Sequence, residues 1–390
     1  MRYCKIIVVT SLLLALVFSF SRCFHDNSVA GNDPRGHQYT GAKACINCHQ
    51  NIFNSYAHSN HYNTSSEVNN NQLKKLIAPS NNRFYFTGTD YIRIEEKDSA
   101  LFQSYFVNEK ETVSKKFDMA FGSAEKAQTY GYWKENKLYQ LPLTWYTSMN
   151  SWANSPGFPA GRAHYGRAIE SRCFECHASY INKELVQSGR LSVSENLDRN
   201  SIVYGIDCER CHGPAAQHAV FHQENPSVKT GKYITSIGAL SRQQQLDVCA
   251  MCHSGNDQSV QRSLFAFVPG DTLSHFYYPD FGAGKSDPDV HGKQLQLLES
   301  SKCFRNSDLT CGSCHNAHEP EENRLAGFIS KCVSCHRDAA HPAGVITSNG
   351  QNCISCHMPL QASKTIWFNN GRESKNIPYY IRTHRIAIYN

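Results

Sequence analysis

The sequence predicts an α+β protein, mainly α with extensive irregular loops, into which a small antiparallel β domain is inserted. Two observations lead to this fold class. The pentapeptide Cys-x-x-Cys-His occurs seven times, once near the N-terminus and six times between residues 173 and 357, among short helical segments and long connections. Residues 62–172 contain none and are typical of strands. With 390 residues, 40% of them hydrophobic and 18% charged, the chain has the composition of a folded protein.

The N-terminus is typical of an export signal. Arg2 and Lys5 precede an apolar run over residues 6–20, so we interpret residues 1–22 as a signal peptide. Cys23 follows the run where a lipoprotein has its acylated cysteine, although Phe20 and Arg22 fit that signal poorly. We therefore expect an exported protein, periplasmic or on the cell surface, with lipid anchoring at Cys23 left open.

The spacing of the pentapeptide suits covalent attachment of c-type haem. Two cysteines form thioether bonds to the two vinyl groups on one porphyrin edge, and the next histidine ligates the iron as proximal ligand. Structural zinc and redox-active dithiols are the alternatives, but neither explains a histidine after every second cysteine. The sequence thus predicts seven c-type haems. The attaching cysteines are Cys45, Cys48, Cys173, Cys176, Cys208, Cys211, Cys249, Cys252, Cys311, Cys314, Cys332, Cys335, Cys353 and Cys356. The proximal ligands are His49, His177, His212, His253, His315, His336 and His357.

Six of the sites share residues 173–357, which leaves about 31 residues for each haem. We therefore expect the haems to pack against one another, so that the mainly α part encloses a packed multihaem core. The formal charge of +6 includes the signal and omits the haem propionates. Seven haems add roughly −7 when ferric, so the apparent basicity does not indicate a nucleic-acid partner.

A second axial ligand decides whether a haem carries electrons or has an open position for a substrate. Twelve of the 19 histidines lie outside the seven motifs, enough for a mostly bis-histidine set. The stronger candidates as distal ligands are His61, His218, His318, His341 and His384. Weaker candidates are His58, His164, His222, His275 and His291. We expect His318 to reach a neighbouring haem, because it lies too close to His315 in sequence to cross its own ring.

The chain is predicted to divide into a first haem-binding segment (39–61), a haem-free β-rich insert (62–172) and a six-haem module with a C-terminal tail (173–390). The insert holds aromatic and β-branched runs separated by turns, which predicts four to six strands with the sequence KENK at a hairpin tip. After the insert we expect a helix over residues 294–302 and a tail that folds back to deliver His384. Cys303 is interpreted as a buried unpaired thiol.

The motifs resemble a known superfamily. "TGAKACINCHQNIFNSYAHSNHYN", "DCERCHGPAAQH", "LTCGSCHNAHEP" and "CISCHMP" are similar to segments of the multihaem cytochromes c. This group includes the tetrahaem cytochrome of nitrifiers, the pentahaem nitrite reductases and the octahaem hydroxylamine oxidoreductases. The resemblance implies distal ligation by the five stronger candidates. Two departures matter: every motif here ends in histidine, with no Cys-x-x-Cys-Lys, and there are seven sites.

The resemblance and the motifs favour an electron-transfer protein over an enzyme. Its partners would be redox proteins, either a membrane quinol-linked donor or other cytochromes. The alternative is a multihaem oxidoreductase that acts on a small nitrogen or sulfur oxyanion at one haem with an open axial position. No catalytic residue is assigned from the sequence.

Overall fold

The computed structural model describes residues 33–77, 82–86, 89–159, 161–279, 287–320, 325–337, 341, 352–369 and 376–389. The predicted signal peptide and Cys23 lie outside these residues. Within the described ranges, no helix combines the length and apolar character that crossing a membrane requires.

The expectation of a mainly α protein was wrong, because helix and strand contribute almost equally, 30% and 29%. Each pentapeptide needs only about one helical turn, so seven copies add little helix. Three of the helices have more than ten residues and the others are shorter. They are α1 (Ala42–Tyr56), α2 (Asn70–Lys74), α3 (Ser171–His177), α4 (Cys208–His212), α5 (Ala216–Glu224), α6 (Arg242–His253), α7 (Gln294–Glu299), α8 (Lys302–Arg305), α9 (Leu325–Cys335) and α10 (Cys353–His357). The single helix expected over residues 294–302 is divided between α7 and α8.

The predicted insert contains two antiparallel sheets rather than one small sheet. Its strands are β1 (Ser65–Glu67), β2 (Arg83–Tyr85), β3 (Tyr91–Lys97), β4 (Ala100–Val107), β5 (Lys110–Lys116), β6 (Met119–Phe121), β7 (Ala127–Lys134), β8 (Lys137–Gln140), β9 (Leu143–Tyr146), β10 (Ser151–Asn154) and β11 (Ala168–Ile169). One sheet has the order β2-β3-β4-β5. The other runs β1-β6-β7-β8-β11, with β9 paired to both β7 and β10. The hairpin at KENK is confirmed, since Lys134 of β7 pairs with Lys137 of β8.

Aromatic side chains form the core of the two sheets. Phe117, Tyr130, Trp145 and Trp152 are all buried in one cluster. Trp152 packs edge-on against Phe117 and Trp145 with ring centroids 6.1 and 5.4 Å apart. Such aromatic contacts add about 0.5–1.5 kcal/mol each beyond the burial of their area. This aromatic core therefore contributes to the stability of both sheets.

Strands also occur outside the insert, which is the second reason for the high strand content. β12 (Ala178–Gln187) and β13 (Val193–Tyr204) form a long hairpin directly after the second pentapeptide. β14 (Leu360–Phe368) and β15 (Ile377–Arg382) pair after the seventh. Phe368 at the end of β14 is buried in the core of the insert. The C-terminal segment thus reaches back to the sheets.

Candidate haem-binding sites

Helical turns present the three functional side chains of each motif together. The two cysteines and the histidine stand at positions i, i+3 and i+4, which lie on one face of a helix. Helices α3, α4, α6 and α10 end at the histidine of their motif, whereas α1 is kinked there, because His49 has φ −115° and ψ 34°. The fifth motif lies on a 3₁₀ turn, Cys311–Ser313, and α9 ends at the second cysteine of the sixth.

Residues just before the motifs hold two of these short helices in place. The carboxylate of Asp207 caps α4 by accepting the Arg210 amide at 3.0 Å. The side chain of Asn352 caps α10 by accepting the Ser355 amide at 3.2 Å. A helix of five residues leaves most of its first amides without partners inside the helix, so such caps stabilise it by about 1 kcal/mol.

The structure pairs histidine rings of the motifs with histidine rings from other segments. A metal–imidazole bond of about 2 Å on each side would place two ligating rings with their centroids about 6 Å apart. The described residues contain five pairs at this spacing. They are His49–His218 at 6.3 Å, His61–His253 at 6.1 Å, His212–His318 at 5.7 Å, His315–His384 at 6.2 Å and His341–His357 at 6.2 Å. The residues present therefore fit one iron between each pair.

The relative orientation of the ring planes differs among the pairs. The planes of His212 and His318 are nearly parallel, at 4°, with their Nε2 atoms 3.5 Å apart. Those of His61 and His253 are almost perpendicular, at 86°. All five of the stronger distal candidates lie against a motif histidine. His318 faces a ring 106 residues away in sequence and not the ring of its own motif.

Burial keeps several of these imidazoles in the neutral form that a metal requires. It lowers the pKa of His253 to about 4, with a further contribution from His61. Burial also lowers the pKa of His177, and the neighbouring His291 lowers it further. His291 therefore lies close enough to His177 to affect its pKa.

The other four weaker candidates have different neighbours. His58 lies 2.8 Å from the Asn54 carbonyl through Nδ1, and His164 packs on Phe158. His222 packs on His218, and His275 lies in the 3₁₀ turn Leu273–Phe276. His336 is exposed, and in the part of the chain that the structure describes no second histidine ring lies against it.

The motifs also contact one another. α1 packs on α4, where the side chains of Cys45 and Cys208 lie side by side. α3 packs on α6 through Cys176 and Cys252, and Cys252 lies 3.7 Å from the Glu175 carbonyl. α6 also meets the turn of the fifth motif through Cys249 and Cys311, and α9 packs on α10. Since each cysteine marks a porphyrin edge, these contacts bring neighbouring porphyrin positions together.

A buried ionic cluster, not anticipated from the sequence, joins the first and third motifs. The guanidinium of Arg35 lies 2.7 Å from the Asp207 carboxylate and 2.9 Å from that of Glu209. Glu209 also accepts the backbone amides of Thr40 and Gly41 at 3.0 and 2.8 Å. The chain before α1 is thereby fixed against α4.

A second polar contact connects the second and third motifs. Arg210 donates to the Glu175 carbonyl at 3.1 Å and to the Leu264 carbonyl at 2.7 Å. The Glu175 carboxylate accepts from the Ser263 hydroxyl at 2.7 Å. The signal for both contacts was present in the sequence, because only the second and third motifs carry charged residues between their cysteines.

Known proteins are similar to parts of this chain. Residues 125–213, which include the second and third motifs, match the protein family described as "Cytochrome c554 and c-prime". The matched segment also contains β7–β13.

Two curated proteins are similar over larger parts of the chain. "Multiheme cytochrome MtrA" of Shewanella baltica is 27% identical over 186 residues, which cover 44% of this chain and 53% of that protein. "C-type polyheme cytochrome OmcB" of Geobacter sulfurreducens is 21% identical over 233 residues, 49% of this chain and 28% of that protein. The chain thus spans about half the length of the first relative and less of the second.

A solved structure, "Crystal Structure of Outer Cell Wall Cytochrome OcwA", matches 90% of this chain and 79% of that one, with a TM-score of 0.53 and 15% identity. At this identity the likeness concerns the fold alone. The sequence matches are with c-type cytochromes, two of them named as multihaem or polyhaem proteins, and this similarity implies covalently bound c-type haems. They do not single out the nitrifier cytochromes, nitrite reductases or hydroxylamine oxidoreductases.

Proposed function

We propose that the chain is an exported heptahaem cytochrome that carries electrons through closely packed, mostly bis-histidine haems. The observation that carries the proposal is the set of five paired rings. A haem with histidine on both faces of its iron has no open position for a substrate, so its chemistry is the gain and loss of one electron. With His177–His291 as a sixth pair, six of the seven haems would be of this type.

The contacts between motifs support transfer from haem to haem. Electron tunnelling falls steeply with distance, so adjacent porphyrin edges favour it. Contacts between helices connect the first five motifs in two groups. The contact α1–α4 joins the first and third motifs, and the contacts α3–α6 and α6–Cys311 join the second, fourth and fifth. The contact α9–α10 connects the last two motifs. His315 also packs on Phe328 of α9, with ring centroids 5.3 Å apart, which links the fifth and sixth motifs.

The proposed location is the periplasm or the cell surface, with Cys23 as an optional lipid anchor. The export signal in the sequence supports this location, as does the similarity to a protein named an outer cell wall cytochrome. The proposed partners are redox proteins, either a membrane quinol-linked donor or other cytochromes.

Spectroscopy of the purified holoprotein tests the proposal. Intact mass should correspond to seven haems, and the ferric spectrum should be dominated by low-spin haem. Incubation with nitrite, hydroxylamine or sulfite and a suitable redox partner should give no turnover. A mass with fewer haems would contradict the count, and a mostly high-spin spectrum with turnover would contradict electron transfer as the function.

An oxidoreductase that uses one open haem is the second candidate, and the exposed position of His336 is the observation that favours it. Carbon monoxide binds ferrous haem with an open or labile sixth position. The oxidoreductase therefore predicts about one carbon monoxide per chain, together with turnover of an oxyanion. If the reduced protein binds no carbon monoxide, this second candidate is excluded and the electron carrier stands.

A further inference from the structure

The paired histidines differ in the partner of their second ring nitrogen. Three of them place Nδ1 against a backbone carbonyl: His212 at 2.9 Å from Thr235, His218 at 2.7 Å from Lys232 and His357 at 2.9 Å from Ala387. His177 instead places Nδ1 3.0 Å from the hydroxyl of Thr64. The haem at the second motif would therefore have a different hydrogen-bond partner behind its proximal ligand.

The direction of this hydrogen bond follows from the tautomer. A histidine that ligates iron through Nε2 must carry its remaining proton on Nδ1. Nδ1 of His177 therefore donates, and the Thr64 hydroxyl accepts. The carbonyl of Thr64 already accepts the Gly122 amide at 2.7 Å. The hydroxyl oxygen is the Thr64 atom that lies within hydrogen-bond distance of the ring, 3.0 Å from Nδ1.

The surrounding backbone holds Thr64 in position. Thr64 directly precedes β1, whose partner strand β6 ends at Phe121 beside the His177 ring, with centroids 5.8 Å apart. On the other side, the chain at Gly205 approaches closely, because a Cβ there would lie 1.9 Å from the Tyr62 carbonyl oxygen. Only glycine permits this approach, and Gly205 also has φ +64°. The hydroxyl is therefore presented by a fixed segment.

We propose that Thr64 is a positioning residue that sets the reduction potential of the haem attached at Cys173 and Cys176 between the lower value that a backbone carbonyl partner would give and the higher value expected with no acceptor. The partner of a ligating imidazole controls its basicity, and a more basic ligand stabilises ferric iron. A hydroxyl accepts a proton less strongly than a peptide carbonyl, so His177 donates less electron density than His212 or His357. This inference rests on the proposed function, since it concerns the order in which haems accept electrons.

The test is a spectroelectrochemical titration of three holoprotein variants. In Thr64→Val the hydroxyl that accepts from His177 is absent, so one redox wave should shift to higher potential. This wave should account for one seventh of the haem absorbance. Thr64→Ser keeps a hydroxyl and should restore the original potential. Thr112→Val removes a hydroxyl in β5 that donates to the Tyr105 carbonyl of β4, and it should shift no wave.

The outcomes separate this inference from the proposed function. An unchanged potential in Thr64→Val, with all haems attached and low-spin, would overturn the role of Thr64 and leave the electron carrier intact. A shift in both Thr64→Val and Thr64→Ser would also overturn it, because packing rather than the hydroxyl would be responsible. A tryptic peptide containing Cys173 and Cys176 without haem would instead contradict the proposed haem set.

Discussion

Replacing His318 by alanine tests the most specific feature of the proposed ligand set. The variant removes the ring that faces His212 and leaves Cys208 and Cys211 in place. We expect seven covalently bound haems, one of which changes from low-spin to high-spin in the ferric state. The magnitude is therefore one seventh of the total haem. Ferric absorbance and electron paramagnetic resonance measure it, with intact mass to count the haems.

The angle between the ring planes distinguishes the haem of His212 and His318 from that of His61 and His253. The orientation of two axial imidazoles determines how the iron d orbitals split. Nearly parallel planes, such as the 4° of His212 and His318, give a rhombic low-spin signal. Perpendicular planes, such as the 86° of His61 and His253, give a much more anisotropic one. His318→Ala should therefore remove a rhombic signal and His61→Ala an anisotropic one.

A matched control and two opposing outcomes complete the experiment. His58→Ala removes a ring that contacts the Asn54 carbonyl, and the low-spin signals should be the same as in the unaltered protein. If His318→Ala leaves every haem low-spin, His318 is not an axial ligand. If it removes the anisotropic signal instead, the pairing with His212 is wrong.

Three further predictions concern the protein framework. Arg35→Ala should destabilise the fold by about 3–5 kcal/mol, because Asp207 and Glu209 would keep buried charges without a cation. The midpoint of denaturant unfolding measures this loss. A loss no larger than that of the control Arg190→Ala, which removes an exposed arginine, would contradict the prediction. Gly205→Ala should lower the yield of folded holoprotein, because the added Cβ would clash with the Tyr62 carbonyl. A normal yield and a normal midpoint of denaturant unfolding would show that the backbone around Gly205 shifts to accommodate the Cβ. Trp152→Ala should lower the free energy of unfolding by about 3–5 kcal/mol, because it leaves a cavity in the aromatic core. Tryptophan fluorescence during denaturation measures the change. Unchanged stability would mean that neighbouring side chains move in and fill the cavity.

The positions of the attachment motifs followed from the sequence, because thioether chemistry needs two cysteines and a histidine within one helical turn. The fold class did not follow. Short strands such as β1 and β6 have too few residues to show an alternating pattern. The hairpin of β12 and β13 lies within the segment predicted as a helical module, because its distal half is exposed and polar and shows no alternating hydrophobic pattern.

The sequence by itself determined the class of cofactor, the candidate ligands and the hairpin at KENK, all of which depend on neighbours a few residues apart. Only the tertiary structure decided that His318 faces His212, that His218 faces His49 and that Thr64 stands behind His177. These contacts join residues separated by more than 100 positions, and no local spacing encodes them. They form because the two sheets and the short helices pack in one arrangement that brings those segments together.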